Sequence, residues 1–213
     1  MLNDYSQYGE GRVINHYFNG TTGNHYFNGV TGTLLSIGEN DGKTLSNVLG
    51  LIENGWAAHL VEPSEIAFKK LKELHKDNKL VQSYNFAITE TDGRFDFYDS
   101  DSHLNTGDTS LLSTLVKSET NKWTKQKFEK KTISGMAFKS FVKSAQITNI
   151  DLISIDCEGM DYDILKQINP SELGVKMLCV EYNNVNESLF TGYMKSFGYK
   201  LHYKNYCNLI FVK

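Results

Sequence analysis

The sequence predicts an α/β domain built on a mostly parallel sheet with helices on both faces. Apolar runs of strand length alternate with helical patterns through most of the 213 residues, and that order yields parallel strands joined by right-handed crossovers. The run Leu34-Leu35-Ser36-Ile37 ends in Gly38-Glu39-Asn40-Asp41-Gly42, where two missing Cβ atoms let a ligand approach the backbone and let the chain turn. The next apolar run, 58–61, ends in Glu62 one βαβ unit later. In open α/β sheets ligands bind beyond the carboxyl ends of the strands, and an acid there accepts both hydroxyls of a ribose. A full Gly-x-Gly-x-x-Gly cradle is absent, so the expected ligand carries a ribose but no diphosphate. Taken alone, the same glycines would make an ordinary turn.

The elements follow in order. Ser6 is a candidate cap for a short N-terminal helix whose apolar side is Val13, Ile14 and Phe18. A tandem repeat follows, Asn15-His16-Tyr17-Phe18-Asn19-Gly20 and then Asn24-His25-Tyr26-Phe27-Asn28-Gly29. Two copies are too few for a solenoid, and each Asn-Gly signals a turn. It reads as a duplicated loop ahead of the first strand, with a His16/His25 ligand pair as the alternative. After a strand over 33–38, residues 43–54 carry Leu45, Val48, Leu49 and Ile52 at helical spacing, with Gly55 placed to end the helix. A second strand over 58–62 leads to a helix over 64–76 with Ile66, Phe68, Leu71 and Leu74 inward. A third strand is expected over 80–88, then an Asp92-Gly93 turn and a strand over 94–98 completing a hairpin. Residues 99–125 hold no period, and a polar loop this long is functional or disordered. A strand over 126–132, a helix over 135–145, a buried strand over 151–156 and a helix over 160–168 come next. The chain closes with a buried strand over 177–182, a helix over 188–197 and an antiparallel pair over 199–204 and 207–212.

The length suits one domain, divided here into an N-terminal extension over 1–32 and the main domain over 33–213. A net charge of −3 supplies no basic field for nucleic acid. Cys157, Cys179 and Cys207 are odd in number and sit in apolar runs without Cys-x-x-Cys spacing, as reduced core residues do. There is no signal-peptide pattern at the N-terminus and no apolar run of membrane-spanning length, so the expectation is a cytoplasmic protein without a membrane span. Oligomerisation is left open.

A second constellation shares the carboxyl edge. Ile155-Asp156-Cys157-Glu158-Gly159 ends one buried strand, and Val180-Glu181-Tyr182-Asn183 ends the next. With strands parallel to the first two, Asp156, Glu181 and Asn183 converge near Gly38 and Glu62. Such acids orient an acceptor hydroxyl, take its proton, or hold a hard cation such as Mg²⁺ through oxygen ligands. The plainer reading, that acids favour the positive end of the following helix, suits Asp161 and Asp163 better. His103 stands alone in the long loop, as a surface residue or as a base.

These segments resemble class I S-adenosylmethionine-dependent methyltransferases, and more narrowly the FkbM family. Tyr5-Ser6-Gln7-Tyr8-Gly9-Glu10 is similar to the family's Ser-Gln-x-Gly-Glu-Asp opening, and Ser36-Ile37-Gly38-Glu39-Asn40-Asp41-Gly42 to its Asp-Ile-Gly-Ala-Asn-Asp-Gly loop. Ser46-Asn47, Gly55-Trp56, Val61-Glu62-Pro63, Asn85-Phe86-Ala87-Ile88, Ile155-Asp156-Cys157-Glu158-Gly159 and Val180-Glu181-Tyr182 follow in the family's order. The resemblance implies a Rossmann-like seven-stranded sheet with a reversed last strand, binding S-adenosylmethionine over Gly38, Glu39, Asn40, Asp41 and Gly42. It places Glu62 on the ribose, Pro63 and Ser64 beside the adenosine, Phe86 and Ala87 near the adenine, and Asp156 at the reacting end. Asp156, Glu181 and His103 become the candidate catalytic residues, and Asp156, Glu181 and Asn183 the candidate ligands of an Mg²⁺ ion. The implied acceptor is a hydroxyl of a small molecule, sugar or glycan. Ser36 and Glu39 stand where the family carries Asp and Ala, which predicts different wiring at the methionine end. They also support the alternative of a catalytically silent binding or scaffold protein on the same fold.

Overall fold

The computed structural model describes residues 3–19, 31–183 and 186–213. In chain order the elements are α1 (Glu10–Asn19), β1 (Thr33–Ile37), α2 (Leu49–Ile52), β2 (Ala57–Val61), α3 (Glu65–Leu74), β3 (Val81–Tyr84), β4 (Ala87–Thr89) and β5 (Gly93–Ser100). A 3-10 turn at Lys117–Lys122 precedes β6 (Phe128–Ala137), α4 (Phe138–Ser144), β7 (Leu152–Ile155), α5 (Asp161–Leu165), β8 (Met177–Glu181), α6 (Glu187–Ser196), β9 (Lys200–Lys204) and β10 (Asn208–Val212). Seven strands form one sheet in the order β3-β2-β1-β7-β8-β10-β9. The pairs β3-β2, β2-β1, β1-β7 and β7-β8 are parallel, while β10 runs against both neighbours. This is the expected mostly parallel sheet with a reversed last strand. The order turns back between β1 and β7, so chain leaving those two strands diverges and opens a crevice at their carboxyl ends.

Alternation along the central strands separates two apolar layers. Leu34 and Leu152 point to one face with Ile14, Leu51 and Trp56, covered by α1 to α3. Leu35, Ile37, Ile153 and Ile155 point to the other, with Phe138, Phe141, Ile164 and Phe190 from α4 to α6. Ser36 and Ser154 pair across β1 and β7 in this apolar setting and mark where the sheet faces a cavity rather than its core.

Several expected elements shift for local reasons. α1 begins at Glu10, and Ser6 reaches it from outside, its Oγ accepting the Gly11 N–H at 3.0 Å. The helix expected over 43–54 shrinks to α2, because Asp41 Oδ1 accepts the N–H groups of Lys43 (2.9 Å) and Thr44 (2.7 Å) and Leu45 takes φ +59°. On α3 the buried line is Ala67 and Leu71. Ile66 and Leu74, expected inward, are 48% and 45% exposed: Ile66 lies off the Ala67–Leu71 line on a 3.6-residue turn, while Leu74 shares that line and is the last residue of the helix. The strand expected over 80–88 breaks at Asn85, whose Nδ2 donates to Glu62 O (2.9 Å) and Pro63 O (3.1 Å). Its second half, β4, joins a separate three-stranded sheet in the order β4-β6-β5. The expected hairpin is therefore absent: β5 pairs antiparallel with β6, and β4 pairs parallel with β6. Pairing extends β6 to Ala137 and delays α4 to Phe138. His25 and the second Asn-Gly lie outside the described residues, as does most of the duplicated segment. Among the described residues no helix is long and apolar enough to cross a membrane.

Candidate active site

β1, β2 and β7 meet at Gly38. Its N–H donates to Val61 O (2.9 Å), and the Glu39 N–H donates to the same oxygen at 3.2 Å. Gly38 takes φ +83°, and a Cβ there would lie 1.8 Å from Asp156 O. Glu62 follows β2 and is buried. Its Oε2 accepts the Asn40 N–H (2.9 Å) and its Oε1 the Ser64 N–H (2.7 Å). Burial pushes its pKa up to about 8 against the pull of those two donors. Each oxygen keeps a free lone-pair direction, which two vicinal hydroxyls can fill.

Glu39 is also buried, and burial raises its pKa to about 7. Its Oε1 accepts the Ser46 hydroxyl at 2.6 Å, and Ser46 Oγ in turn accepts the Leu49 N–H (3.0 Å) at the start of α2. Ser36 also hydrogen-bonds Glu39. The carboxylate that the family carries at the end of the first strand thus stands three residues later, folded back against Ser36. Asn40, at φ +53°, donates through Nδ2 to Thr109 O (2.9 Å), while its buried Oδ1 has no hydrogen-bond partner among the described residues.

Residues 101–127 fold over this edge. Asp108 organises the turn by accepting Ser102 Oγ (2.9 Å), His103 N (2.7 Å), Leu104 N (3.0 Å) and Thr106 N (3.2 Å). Burial alone would raise its pKa, but these donors, Leu104 and His103 foremost, hold it below the usual carboxylate range. Ser64 Oγ meets Ser110 Oγ at 2.8 Å, and Thr114 Oγ1 donates to Glu158 O at 2.8 Å, tying the middle of the loop to the ends of β2 and β7. His103 packs edge to face on Trp123, with ring centroids 5.1 Å apart. Asp108→Asn replaces an acceptor of several N–H groups by one that can satisfy fewer, a loss of about 1–3 kcal/mol. The expected result is a lower Tm and faster amide exchange at His103, Leu104 and Thr106 than in the wild type. Because the native pKa is depressed, this contribution is present above the unfolded carboxyl value and fades as pH falls through it. Unchanged exchange at those amides would show that Asp108 does not hold the turn.

Beneath the loop lies a cavity of about 210 Å³. Glu39, Glu62, Asp156, Glu158 and Glu181 all line it, and among its described lining residues there is no Lys or Arg. Asp156, Glu158 and Glu181 cluster at the ends of β7 and β8, offering oxygens within 4.8 Å of one another. Burial first raises the pKa of all three above the carboxylate range; the next cause is the charge of Asp156 for Glu158 and Glu181, and that of Asp161 for Asp156. Glu181 Oε2 is buried with no hydrogen-bond partner among the described residues. Asp161, by contrast, is structural: its two oxygens accept the N–H groups of Cys157 (2.8 Å) and Gly159 (3.1 Å) and fix the turn into α5.

Of the residues expected at the site, Gly38, Glu39, Asn40, Glu62, Pro63, Ala87, His103, Asp156, Glu181 and Asn183 line the cavity. Asp41, Gly42, Ser64 and Phe86 do not. Asp41 is engaged with Lys43 and Thr44, and a Cβ on Gly42 would meet Leu71 Cδ1 at 2.5 Å. Ser64 holds the loop through Ser110, and Phe86 stacks edgewise on Phe141, centroids 5.4 Å apart. Sequence reasoning undervalued Glu158, although Asp-x-Glu just past a buried strand places two acids at the same edge. It missed Leu104 and Trp123, which also line the cavity and carry no local motif, and it read Gln7 only as part of the opening motif.

Residues 36–201 match the Methyltransferase FkbM domain family. Among solved structures, the methyltransferase FkbM from Methylobacillus flagellatus KT superposes with a TM-score of 0.56 at 15% identity, covering 89% of this chain and 46% of that one. A human methyltransferase 10 domain containing protein superposes with a TM-score of 0.50 at 10% identity, over 95% of this chain and 80% of that one. This chain therefore spans less than half the length of the first of these, and at such identities the likeness concerns the fold. No curated protein matches the chain significantly. The extent of the family match, laid over a sheet of the order found here, shows that the chain belongs to the FkbM methyltransferase family.

Proposed function

We propose that this chain is an S-adenosylmethionine-dependent O-methyltransferase acting on a hydroxyl of a sugar, glycan or small metabolite, with no nucleic-acid substrate. The observation that carries the reading is the charge of the cavity, lined by five acids and no Lys or Arg among the described residues. A phosphate-bearing dinucleotide would add negative charge to a pocket whose carboxyls already repel one another, whereas a sulfonium with an ammonium group favours their ionised forms. The acceptor-rich lining also fits the cofactor's donors. Glu62 has lone pairs left for the two ribose hydroxyls, and the unpartnered Asn40 Oδ1 and the Glu39 carboxylate suit the ammonium. Pro63 and Ala87 supply apolar walls beside Glu62 for the base.

When bound, S-adenosylmethionine supplies an electrophilic methyl group. The protein's own work is to hold an acceptor oxygen in line with it, keep water out beneath the 101–127 loop, and take the acceptor's proton. Asp156, assisted by Glu181, is placed for the proton at the strand edge, with His103 as a second base on the loop. Burial holds Asp156 with a raised proton affinity, which suits a base working near neutral pH.

Calorimetric titration with S-adenosylhomocysteine is expected to show saturable binding, and NAD none. Binding of NAD alone would overturn the reading. A catalytically silent binding protein is the second reading, favoured by Glu39 being bonded to Ser46 inside the pocket. Binding without methyl transfer to a panel of hydroxylated acceptors would select it.

A further inference from the structure

We propose that Asp156, Glu158 and Glu181 form a binding site for a hard divalent cation at the acceptor end of the cavity. Their oxygens lie within 4.8 Å of one another. Ligands on opposite sides of such an ion are separated by twice the metal–oxygen distance, about 4.2 Å for Mg²⁺ and about 4.6–5.2 Å for Ca²⁺. Small side-chain movements therefore bring the three carboxylates onto one ion.

Two further observations point to a ligand. Glu181 is 7% exposed, and its Oε2 has no hydrogen-bond partner among the described residues. Asn208 stands directly across the β8–β10 ladder from Glu181, so the two side chains share a face. Its Nδ2 donates to Glu10 Oε1 at 2.8 Å, which leaves Oδ1 buried on the same cavity with no partner among the described residues. Unpaired buried acceptors are costly, and here an acid cluster and an amide oxygen carry them together with no Lys or Arg among the described lining residues. An all-oxygen set of this kind selects Mg²⁺, Mn²⁺ or Ca²⁺ over thiophilic metals. Asn183, at the exposed rim, lies on the side open to water ligands.

The role of the ion at the acceptor end rests on the methyl-transfer reading; the site itself does not. There the ion holds the acceptor oxygen and lowers its pKa, and with Asp156 engaged as a ligand, His103 is the base that remains.

The test is Mn²⁺ uptake by the full chain, stripped with EDTA and free of cofactor, followed by electron paramagnetic resonance. Thermal melts in Mg²⁺ are run alongside against NaCl of equal ionic strength. Saturable uptake and an Mg²⁺-specific rise in Tm are expected. Glu158→Gln and Glu181→Gln should each lose both, while melting at the same or a higher temperature than the metal-free wild type, because each removes a buried like charge. Asp163→Asn, on the exposed side of α5, should keep both. Uptake no greater than that of Glu181→Gln, or a Tm rise reproduced by NaCl, overturns the proposal. Because no cofactor is present, failure of the methyl-transfer reading leaves this result unaffected.

Discussion

Gly38→Ala is expected to lower the Tm by about 10 °C or more and to abolish S-adenosylhomocysteine binding. The residue sits at φ +83°, where an L side chain costs about 1–2 kcal/mol. Steric conflict adds more: the new Cβ would lie 1.8 Å from Asp156 O and 3.3 Å from Cys157 Sγ. The nearest atom is backbone, so no rotamer change relieves the clash, and either β1 or β7 must move. Overpacking of this kind costs about 1–3 kcal/mol, and each kcal/mol shifts the Tm of a domain this size by about 2–4 °C. Movement would also break the bonds from Gly38 N and Glu39 N to Val61 O, which set the distance between the glycine turn and Glu62. Gly192→Ala is the control, since an added Cβ there meets nothing within 4 Å. A Gly38→Ala protein that melts like the control and binds the cofactor product normally would show that the turn tolerates a side chain.

The same residue explains how much of the site was legible in the sequence. Gly38, Glu62, Asp156 and Glu181 all follow apolar runs directly, so hydrophobic patterning fixed both the strand ends and the acids beyond them. Strand order is not local, yet alternation of strands and helices confined it to few arrangements, and the central sheet follows them. What the pattern could not show were competing local bonds. Asp41 looked like a ligand because it lies inside the glycine turn, but its oxygens are taken by Lys43 and Thr44. Phe86 looked like an adenine neighbour, but the break at Asn85 turns it into the aromatic cluster with Tyr84 and Phe141.

The loop over 101–127 was opaque for a different reason. It has little regular structure, and its order comes from carboxylates that bond backbone N–H groups, Asp108 above all. Such a turn has no hydrophobic period to read. It also hid the partner of Asn40, because the link from Asn40 Nδ2 to Thr109 O joins positions 69 residues apart. The substitution pair at 36 and 39 was visible but not interpretable until the structure placed Glu39 against Ser36 and Ser46. The acid has moved along the chain while staying in the pocket, which is why the departure from the family pattern still leaves a carboxyl group in the cavity.

Glu62→Gln is expected to weaken S-adenosylhomocysteine binding about 100-fold or more and to reduce its pH dependence, leaving the part that Glu39 and Asp156 contribute. Both carboxylate oxygens already accept backbone N–H groups, Asn40 at 2.9 Å and Ser64 at 2.7 Å. An amide has one oxygen, so the variant must set an NH₂ against one of those donors, which costs about 1–3 kcal/mol. The ribose hydroxyls lose charge-assisted bonds as well, at about 1.5–3 kcal/mol each. The two hydroxyl bonds alone, at the lower end, come to about 3 kcal/mol, which corresponds to roughly 100-fold in Kd. The pH dependence follows from the native pKa of about 8, raised mainly by burial. A carboxyl whose folded pKa exceeds its unfolded value binds its proton more tightly when folded. Its favourable contribution to the ligand-free protein is therefore complete below the unfolded value and is lost as pH rises toward 8. Ribose hydroxyls favour the ionised form, so binding must expel that proton below pH 8, and affinity should rise with pH by up to about tenfold per unit. Calorimetry at pH 6 and pH 8, in buffers of different ionisation enthalpy, reads both the affinity and the released proton. Equal Kd values at the two pH values, with no proton released by the wild type, would show that Glu62 is already ionised in the free protein and that burial does not set its charge.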